Sequence, residues 1–221
     1  MLGLQLQAAG PITHAFLTEL FFKQFPKYDS EEQKAFRLGT LFPDVRYLGT
    51  ISREETHFPE MSLEEVVEET NPFLAGMKFH SYVDIAREDF IVSGGYYKLI
   101  SHLPIEHLDF FLKLIEDEIL FSSLEKKAWK QCLKKVVPEE LLWNVEEKTV
   151  KKWHAILDYF FSYFPSTLAH YAYLNGKGYQ DFSSEEVKHW DQNVKPMAHD
   201  EKVNHYLAKS QSLPSWSHNL F

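Results

Sequence analysis

The stretch NPFLAGMKFHSYVDIAREDFIVSGG, residues 71–95, is the part of the sequence that decides the fold. Asn71 and Pro72 are a typical cap and first-turn pair for a helix, and the Gly-Gly pair at 94–95 is typical of a helix end. Between these signals the apolar residues recur at three- and four-residue steps. We therefore predict a helix over 72–91.

His80 and Asp84 are four residues apart in this stretch, so a helix places both side chains on one face, about one turn apart. The same face carries Phe73, Met77 and Val83, which indicates that the pair points into the core. A carboxylate in an apolar interior has to be paired, hydrogen-bonded or bound to a metal ion. For this pair alone, a buried His–Asp hydrogen bond is the simpler interpretation.

Helical periodicity extends through the rest of the chain, without an alternating strand pattern or an internal repeat. The stretch Leu41–Phe58 is predicted to be an ordered loop because it contains a proline, a glycine and mixed residues. We therefore predict an all-α fold, a single helical domain over 1–221 in which 210–221 form a C-terminal tail. The other predicted helices cover 12–25, 30–40, 64–69, 105–122, 125–135 and 138–173, the last with a break before Pro165 left open. One more begins at the cap of 183–186 and is interrupted by Pro196.

Composition and charge exclude several classes of protein. Hydrophobic residues make up 44% of the 221 residues and aromatic residues 15%, which is typical of a chain with a substantial core. The formal net charge of −9 disfavours capture of a nucleic-acid backbone, so we expect no nucleic-acid partner. Because no apolar run approaches the roughly 20 residues of a membrane span, no transmembrane segment is expected.

The cysteine count and the first residues bear on the cellular compartment. Cys132 is the single cysteine, so no internal disulfide can form. Residues 1–10 lack the basic start of a secretion signal. We therefore expect a cytoplasmic protein as the sequence stands, or a secreted one if a signal peptide has been trimmed from its start.

Two residues of the predicted loop can complete a metal site with His80 and Asp84. Asp44 ends the apolar run LFP, and His57 follows thirteen residues later. As single residues, Asp44 would be interpreted as a turn residue and His57 as a surface residue. Together with the helical pair they give two histidines and two aspartates, the nitrogen and oxygen ligands and the coordination number that zinc prefers. We therefore predict one zinc ion at these four residues.

The same residues resemble the zinc-dependent phospholipase C family, whose helical fold is shared with the single-strand-specific zinc nucleases. The resemblance covers roughly the first 90 residues and implies a multi-helix bundle of that type. The matching pieces occur in order as Gly10-x-x-Thr13-His14, Gly39-x-x-x-x-Asp44, Thr56-His57-Phe58 and His80-x-x-x-Asp84.

What the resemblance implies can be assigned residue by residue. Asp44, His57, His80 and Asp84 would hold the first zinc, and Asp84 would also bridge to a neighbouring ion. His14 would be a ligand of that neighbouring ion. Considered alone, His14 is a polar residue at the start of an amphipathic helix.

The sequence departs from the family pattern where the remaining zinc would bind. The family has a histidine six residues after the aspartate of its His-x-x-x-Asp motif, and this chain has Phe90 there. The residue pairs that could correspond to the family's His-x-x-x-Glu pair match it poorly. They suit hydrogen-bonding roles at the edge of the core better than metal binding. We therefore expect one zinc and leave two or three open. The weak candidates are His102 with Glu106, Asp117 with Glu118, and His154 with Asp158.

With two or more ions near Asp84, the site would hydrolyse a phosphodiester, because metal ions make water nucleophilic near neutral pH. Asp44 would orient that water or accept its proton. The preferred substrate is a phospholipid or another small phosphodiester. The alternative is a non-catalytic binding or structural protein that retains a single closed zinc site. A third hypothesis, a phosphohydrolase of the His-Asp dipeptide kind, rests only on His199-Asp200.

Overall fold

The computed structural model describes residues 9–49, 51–105, 107–163 and 183–205, and the regular structure in these ranges is helical throughout. The prediction of an all-α chain is confirmed for these residues. None of these helices is both long and apolar enough to cross a membrane. In chain order they are α1 (Pro11–Gln24), α2 (Ser30–Leu41), a 3-10 helix (Phe42–Leu48), α3 (Arg53–Thr56), α4 (Leu63–Glu68), α5 (Pro72–Gly94), α6 (Tyr97–Ile100), α7 (Leu108–Leu120), α8 (Lys126–Cys132), α9 (Pro138–Leu141), α10 (Glu147–Ser162) and α11 (Ser184–Ala198), with a helical turn at 201–205.

The ends of α5 follow the sequence signals closely. The Asn71 side chain accepts a hydrogen bond from the backbone N–H of Leu74 at 3.1 Å. Gly95 closes the helix in the left-handed conformation, with φ of 66°, a conformation that glycine adopts without steric cost. The predicted helix is therefore confirmed, and it continues one turn further than the sequence indicated.

Three predicted boundaries are wrong. The predicted loop 41–58 contains two short helical segments, the 3-10 helix and α3. The predicted helix 138–173 is interrupted after α9 by a turn in which Asn144 has a φ of 56°, and 164–173 lie outside the described residues, as does the predicted tail at 210–221. Pro196 lies inside α11 without interrupting it. A proline removes a single N–H donor, and here the helix continues only to Ala198.

Helices α2 and α5 are in backbone contact, and this contact positions the candidate site. A Cβ atom on Gly39 of α2 would overlap with the carbonyl group of Phe73 in α5. A Cβ atom on Gly76 of α5 would overlap with the Phe36 carbonyl and lie 2.8 Å from the backbone nitrogen of Thr40. Facing glycines thus let the two helices approach more closely than side chains would allow.

Apolar side chains form three clusters around this helix pair. The largest lies between α1, α2, the 3-10 helix and α10 and contains Trp129 and Trp153. A second joins α7 to α11. The third is rich in aromatic rings, with Phe21 and Phe36 stacked at 5.1 Å between ring centroids. The packed surroundings keep α5 fixed where it carries His80 and Asp84.

Candidate metal centre

The five residues predicted as metal ligands lie together in the interior. His80 and Asp84 are on α5, Asp44 is on the 3-10 helix, His57 directly follows α3, and His14 is on α1. Each of the five is between 1% and 8% exposed to solvent. Elements that are far apart in the sequence therefore bring two carboxylates and three imidazoles to one place.

The ring of His80 has a defined tautomer. Its Nδ1 lies 2.8 Å from the backbone carbonyl of Thr40, at the end of α2. A carbonyl oxygen only accepts hydrogen bonds, so Nδ1 carries the proton and donates it. In the neutral ring, Nε2 then presents its lone pair to the interior.

The ring of His57 is held by its neighbour in sequence. Its Nδ1 lies 2.9 Å from the hydroxyl oxygen of Thr56, and that oxygen is also 3.3 Å from the backbone carbonyl oxygen of Ser52. The hydroxyl proton can go to either acceptor, so these contacts are compatible with both neutral tautomers of His57. In one tautomer Nε2 of His57 carries the proton, and in the other it presents a lone pair.

The Nε2 atoms of the two rings face each other. They are 3.1 Å apart, the distance of a hydrogen bond in which Nε2–H of His57 donates to the lone pair on Nε2 of His80. Oδ2 of Asp84 lies 3.5 Å from Nε2 of His80 and 3.7 Å from Nε2 of His57. When Nε2 of His57 carries no proton, these three atoms converge as the ligands of a cation would.

Asp44 supplies a fourth donor atom, the second carboxylate oxygen near the rings. Its Oδ1 is 4.0 Å from Nε2 of His57 and has no hydrogen-bond partner among the described residues. A tetrahedral zinc with bonds of about 2.1 Å holds its ligand atoms about 3.4 Å apart. The separations of 3.1 to 3.7 Å among His57, His80 and Asp84 are close to that value, and imidazole nitrogens with carboxylate oxygens fit zinc. Asp44 is farther away, and its donor atom groups within 4.8 Å with those of His14 and His80.

His14 extends the cluster on the other side of Asp84. Its ring stacks on that of His80 with centroids 4.0 Å apart, and its Nε2 lies 3.2 Å from Oδ1 of Asp84. Oδ1 also accepts a hydrogen bond from the backbone N–H of Ala9 at 2.9 Å. Donor atoms of His14, Asp44 and His80 lie within 4.8 Å of one another, as do those of His57, His80 and Asp84. A second ion would therefore share residues with the first.

The pKa values favour the protonation states that a metal ion needs. Burial lowers the pKa of His57 to about 4 and that of His80 to about 3, so both rings are neutral at pH 7. Burial acts to raise the pKa values of Asp44 and Asp84. Electrostatic interactions with His80, and at Asp44 also with Arg46, outweigh burial, so both pKa values lie below the usual one. Neutral imidazoles and ionised carboxylates bind a metal without first releasing protons.

Two arginines, which the sequence reasoning missed, balance the carboxylate charges. Nη2 of Arg53 lies 3.3 Å from Oδ2 of Asp84, and Nε of Arg46 lies 3.6 Å from Oδ1 of Asp44. Their side chains are 24% and 19% exposed, so they form the solvent-facing side of the centre. Their positions in sequence could have indicated this role, because Arg46 is two residues after Asp44 and Arg53 is four residues before His57.

The weak candidates for further ions do not join the centre. Phe90 packs into the second apolar cluster, with its ring 5.2 Å from that of Tyr96. His102 is exposed, and Glu106 lies outside the described residues. Asp117 accepts hydrogen bonds at 2.9 Å from both the backbone N–H and the hydroxyl of Thr13, so it caps α1 from α7.

The remaining pairs have other partners too. His154 faces a carboxylate oxygen of Glu140 at 2.7 Å and the Leu133 carbonyl at 3.1 Å, while Asp158 lies 3.6 Å from Nζ of Lys130. Burial raises the pKa of the Glu118 carboxyl, which is no member of the centre.

The His199-Asp200 pair is used for local structure. Nδ1 of His199 donates to the Lys195 carbonyl at 2.8 Å, and Asp200 accepts from the backbone N–H of Lys202 at 2.9 Å, at the start of the last helical turn. Neither residue is in a cluster of metal-binding side chains in the described part of the chain.

In comparisons with known proteins, no family model, no curated protein and no solved structure matches this chain.

Proposed function

We propose that this protein is a zinc-dependent phosphodiester hydrolase resembling phospholipase C, with its first metal site at Asp44, His57, His80 and Asp84. The observation that carries the proposal is the convergence of buried donor atoms: those of His57, His80 and Asp84 lie within 4.8 Å of one another, as do those of His14, Asp44 and His80. The rings of His57 and His80 are neutral at pH 7, the form of imidazole that binds a metal ion.

Each residue would have a distinct role. His57, His80 and Asp84 would hold the ion, and the hydrogen bonds from the two Nδ1 atoms, to Thr56 and Thr40, would fix the ring orientations. Zinc, when bound, supplies an electrophile for phosphate oxygens and makes water nucleophilic near neutral pH.

Asp44 would orient the attacking water. Its pKa lies below the usual value, so its carboxylate is ionised and accepts hydrogen bonds, but it is a weak proton acceptor at pH 7. It also lies on the side of the centre that Arg46 shares. An orienting role therefore suits Asp44 better than that of a general base.

The surroundings favour an anionic substrate of limited size. Arg46 and Arg53 bring positive charge to the solvent-facing side of the centre, and guanidinium groups bind phosphate oxygens well. The net charge of the chain is −9, which disfavours an extended polyanion such as nucleic acid. A phospholipid or another small phosphodiester is the preferred substrate.

A second candidate function is a non-catalytic protein with a single structural zinc. Phe90 occupies the sequence position of an expected ligand and packs against Tyr96. Arg87, three residues after Asp84, forms a buried ion pair with Glu116 at 2.7 Å. An ion pair thus fills the core next to the centre. A closed site with four protein ligands stabilises a fold but does not activate water.

Elemental analysis of the purified full-length protein and its variants tests the proposal. We expect at least one zinc per chain in the unmodified protein and a loss of zinc in Asp44→Ala and in His80→Ala. His199→Ala is the matched control, because His199 is exposed and has a partner outside the centre. Full zinc content in either of the first two variants would contradict the metal site.

Hydrolysis separates the two candidate functions. We expect the zinc-loaded protein to hydrolyse a soluble short-chain phosphatidylcholine or bis(p-nitrophenyl) phosphate, to lose this activity in a chelator, and to regain it on adding zinc. One tightly held zinc with no turnover of either compound would favour the structural role instead.

A further inference from the structure

Two leucines project from the surface next to each other. Leu142 is 80% exposed and Leu141 is 40% exposed, at the end of α9. Single exposed leucines are common in proteins, but two consecutive ones, here called the leucine edge, expose more apolar surface than one does. In the described ranges the other large apolar side chains with comparable exposure, such as Val92, are not adjacent to one another.

A pocket near α9 is lined by four lysines and by the carboxylates of Glu147 and Asp158. Lys151 pairs with Glu147 at 2.7 Å and Lys130 lies 3.6 Å from Asp158, so lysines outnumber carboxylates in the lining by two. The pocket has a volume of about 770 Å³, and the ring of His154 is among its lining groups.

Glu140 of α9 is hydrogen-bonded to His154 at 2.7 Å, and this bond attaches α9 to the pocket. Leu141 directly follows Glu140 in sequence. We name the four lysines of the pocket and the two leucines the Lys–Leu surface: Lys130, Lys134, Lys135, Lys151, Leu141 and Leu142.

The charge of this region is opposite to that of the chain. Residues 126–152 contain eight lysines and four glutamates, whereas the whole chain has 23 basic and 32 acidic residues. One of the four glutamates, Glu140, is buried against His154. A negatively charged partner attracts the positive surface of such a protein and repels its other faces, so the protein binds with the positive surface toward the partner.

Packing contacts link this region to the segment that supplies Asp44. The ring of Trp143, directly after Leu142, lies 6.4 Å from that of Phe42, which precedes Asp44 by two residues. From α10, Nε1 of Trp153 donates to the Leu41 carbonyl at 2.9 Å, at the start of the same 3-10 helix. The segment that carries the leucines is therefore packed against the 3-10 helix of the candidate metal centre.

We propose that the Lys–Leu surface docks this protein onto a membrane that contains anionic phospholipids. The leucine edge enters the interfacial layer, and the lysines lie against lipid phosphates and headgroups. This docking extends the proposed function and rests on it, because docking would bring the candidate metal centre to a phospholipid substrate. A membrane is favoured over an acidic protein because exposed leucines and lysines occur in one stretch, 130–151, and an acidic protein would use the lysines alone.

Sedimentation with vesicles tests the docking directly, using the full chain in a chelator so that no lipid is hydrolysed. We expect the protein to bind vesicles of phosphatidylcholine with phosphatidylserine about tenfold more tightly than vesicles of phosphatidylcholine alone, since each lysine near an anionic surface adds to binding. We also expect this preference to weaken as salt is added. Equal binding to the two kinds of vesicle would overturn the proposal.

Two variants and two matched controls locate the surface. Leu142→Asp and the double variant Lys134→Glu/Lys135→Glu should each lower binding to the anionic vesicles about tenfold or more. Val92→Asp and Lys188→Glu alter an exposed apolar residue and an exposed lysine elsewhere, and should leave binding unchanged. Circular dichroism checks that every variant is folded. Wild-type binding by either surface variant would overturn the proposal.

Other occupants would give different results. If the surface joined two copies of this chain, Leu142→Asp would abolish a dimer seen by analytical ultracentrifugation and vesicle binding would be absent. If it bound an acidic protein, polyglutamate would be captured and vesicles would not. Either result overturns membrane docking. Turnover of a soluble phosphodiester without vesicle binding would leave the proposed function intact, and binding without turnover would leave the docking intact.

Discussion

Gly76→Ala should open the contact between α2 and α5 and disturb the metal centre without touching any proposed ligand. The added Cβ atom would lie 2.8 Å from the backbone nitrogen of Thr40 and would overlap with the Phe36 carbonyl. These are backbone atoms of a packed helix, so relief requires α2 to move by about 1 Å. The hydrogen bond from Nδ1 of His80 to the Thr40 carbonyl, now 2.8 Å, would then lengthen to about 3.8 Å and break.

The cost follows from three contributions. Overpacking of a core costs about 1–3 kcal/mol. A buried polar group left without its partner costs about 1–3 kcal/mol. Alanine gains about 1 kcal/mol over glycine in helix propensity. The free energy of unfolding should therefore fall by about 3 kcal/mol, and the melting temperature by about 6–12 °C for a chain of this size.

Urea denaturation and zinc content measured on the same samples check this prediction. Gly49→Ala is the matched control, because Gly49 has a φ of 75° and no atom within 4 Å of the added Cβ. The control should lose about 1 kcal/mol from backbone strain and keep its zinc. If Gly76→Ala were as stable as the unmodified protein and bound zinc equally well, the close approach of α2 and α5 would not be what orients His80.

Three further predictions concern pH and single contacts. Burial lowers the pKa of His57 to about 4 and that of His80 to about 3, so below pH 6.5 the unfolded chain binds more protons than the folded one. The metal-free protein should therefore lose several kcal/mol of stability as the pH falls from 6.5 through 4. Urea denaturation at a series of pH values measures this loss. Asp117→Ala should cost about 1–3 kcal/mol at pH 7, because the N–H and hydroxyl of Thr13 lose their acceptor at the start of α1; thermal denaturation measures this, and an unchanged melting temperature would refute the capping role. Trp153→Phe should cost about 1–2 kcal/mol by loss of the indole hydrogen bond to the end of α2 while zinc content stays the same, and a stability equal to that of the unmodified protein would count against that bond.

Much of the fold could be predicted because its signals are local. The cap at Asn71 and the glycines at 94–95 define α5, and the Asp29 cap defines α2. The prediction failed at 138–173, where a turn separates α9 from α10. Helical periodicity continues across that turn, and a single residue with positive φ, Asn144, has no strong signal in sequence.

The sequence predicted which residues form the candidate centre, but not the surroundings that distinguish them from other buried carboxylates. Spacing alone placed His80 and Asp84 on one helix face. The weak candidates could not be excluded by sequence, since the carboxylate of Asp117 differs from that of Asp84 only in what surrounds it. Asp117 faces the N-terminus of α1, whereas Asp84 faces three histidines.

The sequence by itself determined the all-α class, the starts of α2 and α5 and the five side chains that could meet a metal ion, because each depends on neighbours within a few positions. Only the tertiary structure decided how those side chains face one another. The tautomer of His80 depends on a carbonyl forty residues away in sequence, and the approach of α2 to α5 depends on two glycines that face each other across the contact. Such distances are set by the packing of whole helices, which no local pattern contains.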